Sequence, residues 1–224
     1  MTHLFSDRRD AGRTLAATLL VKHVFPSEPV VLALPRGGVP VAFEVAEAFK
    51  APLDVCMTQS LEVPGHSGLS MGAVASGQVL VLQQAVIERF QIPEKVITRA
   101  VRREARELGR RERAYRGECA PIPLADRTVI LVDDGLVSVA AAVAAITAIR
   151  ARRATRLVLA MPVASRDCCA RLLALVDELV CLATPTPFQT VATWYREFPQ
   201  VSDLDVRLLH GEARHRAQHW SFPH

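Results

Sequence analysis

The stretch Thr128-Val-Ile-Leu-Val-Asp-Asp-Gly-Leu-Val-Ser-Val-Ala-Ala-Ala142 decides the fold. Residues 129–132 are a short apolar run of the kind buried on both faces of a parallel sheet. The run ends on Asp133 and Asp134, and the Ala-rich segment 139–152 predicts a helix soon after them. Strand, acidic turn and helix in that order put two carboxylates at the carboxyl edge of a strand, where open α/β sheets bind their ligands.

The rest of the chain repeats this alternation. Ser6 and Asp7 can cap a first helix running through Leu15, Leu19 and Leu20. A strand over 30–34 leads into the tight turn Pro35-Arg36-Gly37-Gly38 and a helix over 39–49. Further strands are expected near 53–57, 71–75, 157–162 and 178–182. Helices between strands imply right-handed crossovers, so the expected class is α/β: a mainly parallel central sheet flanked by helices. A long Arg-rich helical insertion is expected at about 83–117 and an aromatic segment at about 185–210. No repeat or linker divides the chain, and one domain over 1–224 is the expectation.

With 224 residues, half of them hydrophobic, the chain can bury a large core. No apolar run is long enough to span a bilayer and residues 1–10 are polar and charged, so no membrane association and a cytoplasmic location are expected. Five cysteines without a Cys-x-x-Cys pair point to reduced thiols rather than a disulfide framework or zinc site. Part of the formal charge of +4 comes from residues 95–116, where arginines crowd a helical stretch interrupted by Glu104, Glu107 and Glu112. Pairs such as Glu107 with Arg111 read as bracing of a solvated helix. The sharper reading is an anionic partner such as RNA, but aromatic residues are only 5% of the chain and no RNA-binding signature accompanies the arginines, so nucleic acid is not an expected partner. The tail 210–224 holds several histidines without regular ligand spacing, which favours fraying over a metal site.

Asp133-Asp134-Gly135 and Leu34-Pro-Arg-Gly-Gly-Val-Pro40 together resemble the type I phosphoribosyltransferase family. The resemblance implies that Asp133 and Asp134 bind the ribose hydroxyls of phosphoribosyl pyrophosphate and carry the catalytic role. It implies that Arg36, Gly37 and Gly38 hold pyrophosphate and that the loop Gly135, Leu136, Val137, Ser138, Val139, Ala140 and Ala141 wraps the 5-phosphate. Glycines that let amides approach an anion, an arginine and a following helix amino terminus suit such a role physically. A narrower resemblance covers nearly the whole chain: uncharacterised bacterial phosphoribosyltransferase-like proteins, matched at Phe5-Ser-Asp-Arg-Arg-Asp-Ala-Gly12, Met71-Gly-Ala-Val-Ala75, Arg111-Glu-Arg-Ala-Tyr-Arg-Gly117, Thr186-Pro-Phe188, Trp194-Tyr195 and Gln200-Val-Ser-Asp203.

The departures matter as much as the matches. The family loop ends Thr-Thr-Gly-x-Thr or Ala-Thr-Gly-x-Thr; here Val139 replaces the glycine and Ala141 the last threonine, leaving Ser138 as the one hydroxyl. A β-branched residue suits poorly the conformations that glycine serves, so Val139 is expected to reshape the loop. Gln59 and Ser60 stand where the subfamily carries a basic pair, and His66 lies in the segment matching its mobile loop. Trp194 and Tyr195 could pack at the core edge or stack on a planar acceptor. The implied chemistry is transfer of phosphoribosyl to a nitrogen acceptor, with magnesium held through pyrophosphate and water and no direct protein ligand. The lost loop residues point to reduced transfer. The alternative is an inactive homologue serving as a nucleotide or phosphate sensor, regulator or scaffold. Phosphoribosyl pyrophosphate or a nucleotide is the implied ligand, and homo-oligomer formation is open.

Overall fold

The computed structural model describes residues 3–22, 28–66, 68–117, 119–136 and 139–220. Its element order is α1 (Arg8–Lys22), β1 (Val30–Ala33), α2 (Gly38–Phe49), β2 (Leu53–Val55), β3 (Thr58–Glu62), β4 (Ser70–Ala75), β5 (Val79–Leu82), α3 (Gln84–Arg89), α4 (Glu94–Arg116), β6 (Thr128–Val132), α5 (Val139–Ala151), β7 (Arg156–Val163), α6 (Arg166–Leu173), β8 (Glu178–Ala183), a short 3-10 turn (Ala192–Trp194) and α7 (Asp203–Trp220). Strands β2-β1-β6-β7-β8 form a parallel five-stranded sheet, and β3-β4-β5 a separate three-stranded antiparallel sheet.

The parallel sheet is covered on both faces, which is why its strands are continuously apolar. Val31, Ala33, Ile130, Val132, Val158 and Ala160 point into one core, with α1, α2 and α7; Val30, Leu32, Val129, Leu131, Leu157 and Leu159 point into the other, with α5 and α6. Helix α5 serves two surfaces. Its Ala142, Ala145, Ile146 and Ile149 join the core beneath the sheet, while Ala144 and Ala148 meet Ala73 and Ala75 of β4. Alanine at those positions lets the antiparallel sheet lie close against the helix.

Two sequence expectations are corrected. The segment near 71–75 belongs to the antiparallel sheet, because only the hairpin turn Ser76-Gly77-Gln78 separates β4 from β5. Gly77 and Gln78 take φ of 82° and 63°, and parallel neighbours would have needed a much longer crossover. The tail does not fray at residue 210. Val206, His210 and Ala213 form the buried face of α7 against α2, β2 and α4. No described helix is long and apolar enough to cross a membrane.

The seat of α7 is a buried carboxylate. Asp54, 1% exposed on β2, accepts 2.7 Å from Arg116 Nε and 3.1 Å from the Ile122 amide, with His210 Nε2 3.3 Å away. Arg116 Nη2 also donates to the Val55 carbonyl, and Arg116 Nη1 lies 3.3 Å from Glu112, which accepts from the Ser76 hydroxyl. Burial alone would raise the Asp54 carboxyl; the His210 contact and the Arg116 guanidinium outweigh it and hold the group down at about 2.

Neutralising the acid would take from a buried guanidinium its closest carboxylate, leaving it the longer contact with Glu112. Asp54→Asn is expected to lower stability by about 3–5 kcal/mol in urea unfolding. The native carboxylate contributes fully above its unfolded value of about 4, and that contribution drains away as pH falls toward about 2. The acid limb of a pH–stability profile should therefore flatten in Asp54→Asn.

Candidate functional site

Two turns that are distant in sequence meet because β1 and β6 are parallel neighbours in register, Ala33 beside Val132. The Leu34 amide extends the pairing to the Val132 carbonyl at 2.9 Å, so the Pro35–Gly38 turn and the Asp133–Asp134 turn emerge side by side. Their approach requires glycine. A Cβ on residue 37 would overlap the Asp134 carboxylate, and one on residue 38 would stand 2.8 Å from the Val132 carbonyl oxygen. The Pro35–Arg36 peptide is cis.

The other side of Asp134 is closed by a residue to which sequence reasoning gave no role. Arg8, 8% exposed at the start of α1, donates from Nε to Asp134 Oδ2 at 2.7 Å and from Nη1 to the Pro199 carbonyl at 2.6 Å. Its guanidinium lies 3.6 Å from the centre of the Phe198 ring. The Asp7 side chain receives the Asp10 amide, and Asp10 in turn receives the Ser6 amide, a reciprocal cap that fixes this first turn. One turn later a Cβ on Gly12 would stand 2.8 Å from the Val41 carbonyl oxygen of α2, so the glycine lets α1 lie close enough for Arg8 to reach. The signal was the matched Phe5-to-Gly12 segment; what it lacked was a partner.

Tyr195 completes the enclosure. Its hydroxyl donates to the Asp134 carbonyl, its ring packs on Phe5 at 5.5 Å and Phe198 at 4.9 Å, and it is 2% exposed. Burial first, and then the Asp134 charge, push its phenol upward. A ring so enclosed offers no open face to a planar acceptor, which corrects the stacking expectation for Tyr195. Trp194 is half-buried beside Phe188 at 6.3 Å, and its buried Nε1 meets no acceptor among the described residues.

The two acids are thereby made unequal. Asp134 faces a guanidinium; Asp133 accepts the Asp134 amide at 2.9 Å and forms no ion pair with a cation among the described residues. Burial, and next the neighbouring Asp134 charge, raise the Asp133 carboxyl well above the usual range. One side chain is anchored by a guanidinium, and in the other burial and the neighbouring acid favour the protonated form.

The remaining expected residues are placed less favourably. Arg36 is exposed and turned toward Asp203 at 3.6 Å, on the aspartate that also accepts from Tyr115. Gly135 lies against Val163 and Val191. Leu136 is 3% exposed and bonded to the Val163 carbonyl, so it anchors the loop in the core. Val137 and Ser138 lie outside the described residues. Val139 opens α5 without a positive φ and with its side chain in the core, while Ala140 and Ala141 continue the helix. Gln59 and Ser60 sit on β3, away from this cluster in sequence, with Ser60 bonded to Ser70 at 2.9 Å. His66 packs edge-on against Phe90.

Because its folded value is raised, Asp133 favours the fold most below about pH 4, where its unfolded counterpart is also neutral, and that contribution is lost as pH rises through the elevated folded value. Asp133→Asn, which keeps an acceptor for the Asp134 amide, should melt higher than the native chain near pH 7. The difference should vanish near pH 4 in calorimetric scans. Arg8→Gln should cost about 2–4 kcal/mol, since it strands Asp134 and uncovers Phe198. Chemical denaturation checks it.

No family model matches the chain. A Mycobacterium tuberculosis H37Rv protein curated as a candidate phosphoribosyl transferase is 43% identical over 203 residues, 91% of this chain, and the chain spans 45% of that relative's length. Among solved structures, TT1426 from Thermus thermophilus superimposes with a TM-score of 0.80 at 36% identity, covering 93% of this chain and 98% of that one. AQ2163 from Aquifex aeolicus shares the fold at 10% identity, with a TM-score of 0.50 over 91% of this chain and 85% of its own. With the paired turns in place at the sheet edge and relatives this similar, the chain belongs to the phosphoribosyltransferase-like proteins of the type I fold.

Proposed function

We propose that the chain binds phosphoribosyl pyrophosphate or a nucleotide at the edge formed by Gly37, Gly38, Asp133 and the start of α5, and that phosphoribosyl transfer there is slow. One observation carries this reading: the Asp134 carboxylate is held between Arg8 and Gly37, leaving Asp133 as the acid of the pair without a cationic partner. Ribose hydroxyls can donate to a carboxylate or a neutral acid, so binding survives. Stabilisation of positive charge developing on the sugar needs ionised acids, and here Asp134 is already paired with a guanidinium while burial and the Asp134 charge disfavour an ionised Asp133.

The amides of Arg36 and Gly37 meet no acceptor among the described residues and precede the amino terminus of α2, which suits a diphosphate. Arg36 can leave Asp203 to add charge, because that contact is 3.6 Å long and exposed. The start of α5 attracts a 5-phosphate by its dipole, with no hydroxyl at Ala141 to add a bond. Directly bound magnesium does not fit this pair of acids, because Asp134 is held between Arg8 and Gly37. Magnesium has its place on the oxygens of the diphosphate, and no step is assigned to it. A nitrogen nucleophile would displace pyrophosphate, and the protein's part is to position the two.

The same observation favours a second reading, in which the site senses its ligand without turning it over. Calorimetry with phosphoribosyl pyrophosphate and a pyrophosphate-release assay across nucleobases separate the two. Binding with slow release supports transfer, binding with none supports a sensor, and robust turnover overturns both. Ala141→Thr should tighten donor binding roughly tenfold, the value of one hydrogen bond to a charged phosphate. Unchanged affinity would mean that the 5-phosphate does not lie at α5.

A further inference from the structure

Helix α4 has more arginines than acids to hold them. Glu104 pairs with Arg103, Glu107 with Arg110 and Arg111, and Glu112 with Arg116. Arg106 and Arg113 meet no carboxylate among the described residues. They stand two helical turns apart and therefore on one face. That face borders a cleft of about 790 Å³ between α4 and the β4–β5 hairpin. Arg152, beyond the end of α5, lines the same cleft; its Nη2 donates to the Ile122 carbonyl and it too has no acid partner among the described residues. Arg113 lies over Gly109, its Nη1 at 3.6 Å from where a Cβ would be, an ordinary packing distance.

The lining is of two kinds. Val74, Leu80, Val101 and Leu108 supply apolar surface, with Leu80 44% exposed. The acid in the lining, Glu112, is already engaged by Ser76 and Arg116. Three guanidiniums without a counter-charge repel one another, and a multivalent anion relieves that repulsion while accepting their fork-shaped donors. A cleft of this volume matches small-molecule sites, in which apolar walls hold the body of a ligand and a few polar groups orient it.

We propose that this cleft is a second ligand site, for an anion carrying two or more phosphates on a planar or apolar body, the chemical class of a nucleoside diphosphate. Arg106, Arg113 and Arg152 hold the phosphates and Leu80 with Val101 covers the body. None of these residues borders the Asp133–Asp134 turn, so the site stands whether or not the proposed transfer does.

Calorimetry at low salt with ADP and with inorganic pyrophosphate tests it. ADP should bind more tightly than pyrophosphate. Arg106→Gln/Arg113→Gln should weaken ADP at least tenfold with an unchanged melting temperature, both residues being exposed. Leu80→Ser should weaken ADP and spare pyrophosphate. Gly37→Ala, which disrupts the turn holding Asp134, should leave this binding event in place. The proposal fails if ADP does not bind, if the double variant binds it as well as the native chain, or if Gly37→Ala alone abolishes it. It also fails if a labelled RNA duplex, not ADP, loses affinity in the double variant, which would make α4 an extended polyanion surface.

Discussion

The placement of one carboxylate governs the arrangement around the candidate site. Asp134 fits beside the first turn only because residue 37 has no side chain, and Arg8 closes its other side with a 2.7 Å ion pair. Both conditions reach far. The first demands that β1 and β6 be adjacent and in register; the second demands that α1 lie close on α2, where Gly12 permits it, and that the aromatic segment fold back to give Arg8 its Phe198 and Pro199 contacts. Sheet topology, helix packing and the late segment are consistent with a single charge position.

The molecule buries two acids in opposite ways. Asp54 is surrounded by Arg116, His210 and backbone amides and stays ionised, so it ties β2, α4 and α7 together as a structural joint. Asp133 lies beside another carboxylate, and burial and that neighbour raise its carboxyl above the usual range, at a cost to stability that grows with pH. A buried acid with a full set of donors is what a scaffold uses; one left beside a like charge is what a binding edge tolerates.

Much of this was legible in the sequence, for identifiable reasons. The runs in β1, β6 and β7 are apolar on both faces, which only a sheet covered on two sides explains, and the acids and glycines that end β1 and β6 stand out as breaks in those runs. Strands β3 and β5 were missed because they are short and half-exposed, with Gln59, Ser60 and Glu62 among their residues. Arg8 and Asp134 are separated by most of the chain, and no local pattern links a helix-start arginine to a distant turn. The histidine-rich tail concealed the buried face of α7, since His210 reads as polar until Asp54 is found beside it. Val139 read as a damaged loop residue because its loop was aligned by motif, whereas its apolar side chain belongs to the helix that follows.

The backbone pairing of the first described residues with the aromatic segment has a further consequence. Leu4, Phe5 and Ser6 exchange hydrogen bonds with residues 194–197, and Arg8 takes its acceptors from Asp134 and Pro199. A ribosome that has released α1 has therefore made only one wall of the enclosure around Asp134. The sheet core can gather while synthesis proceeds, but the opening segment and Arg8 can take their full set of partners only once the chain has lengthened past Pro199. Order of synthesis thus makes completion of this enclosure a late step, and a nascent chain stalled before that point would lack the Tyr195, Phe198 and Pro199 contacts around Arg8 and Asp134.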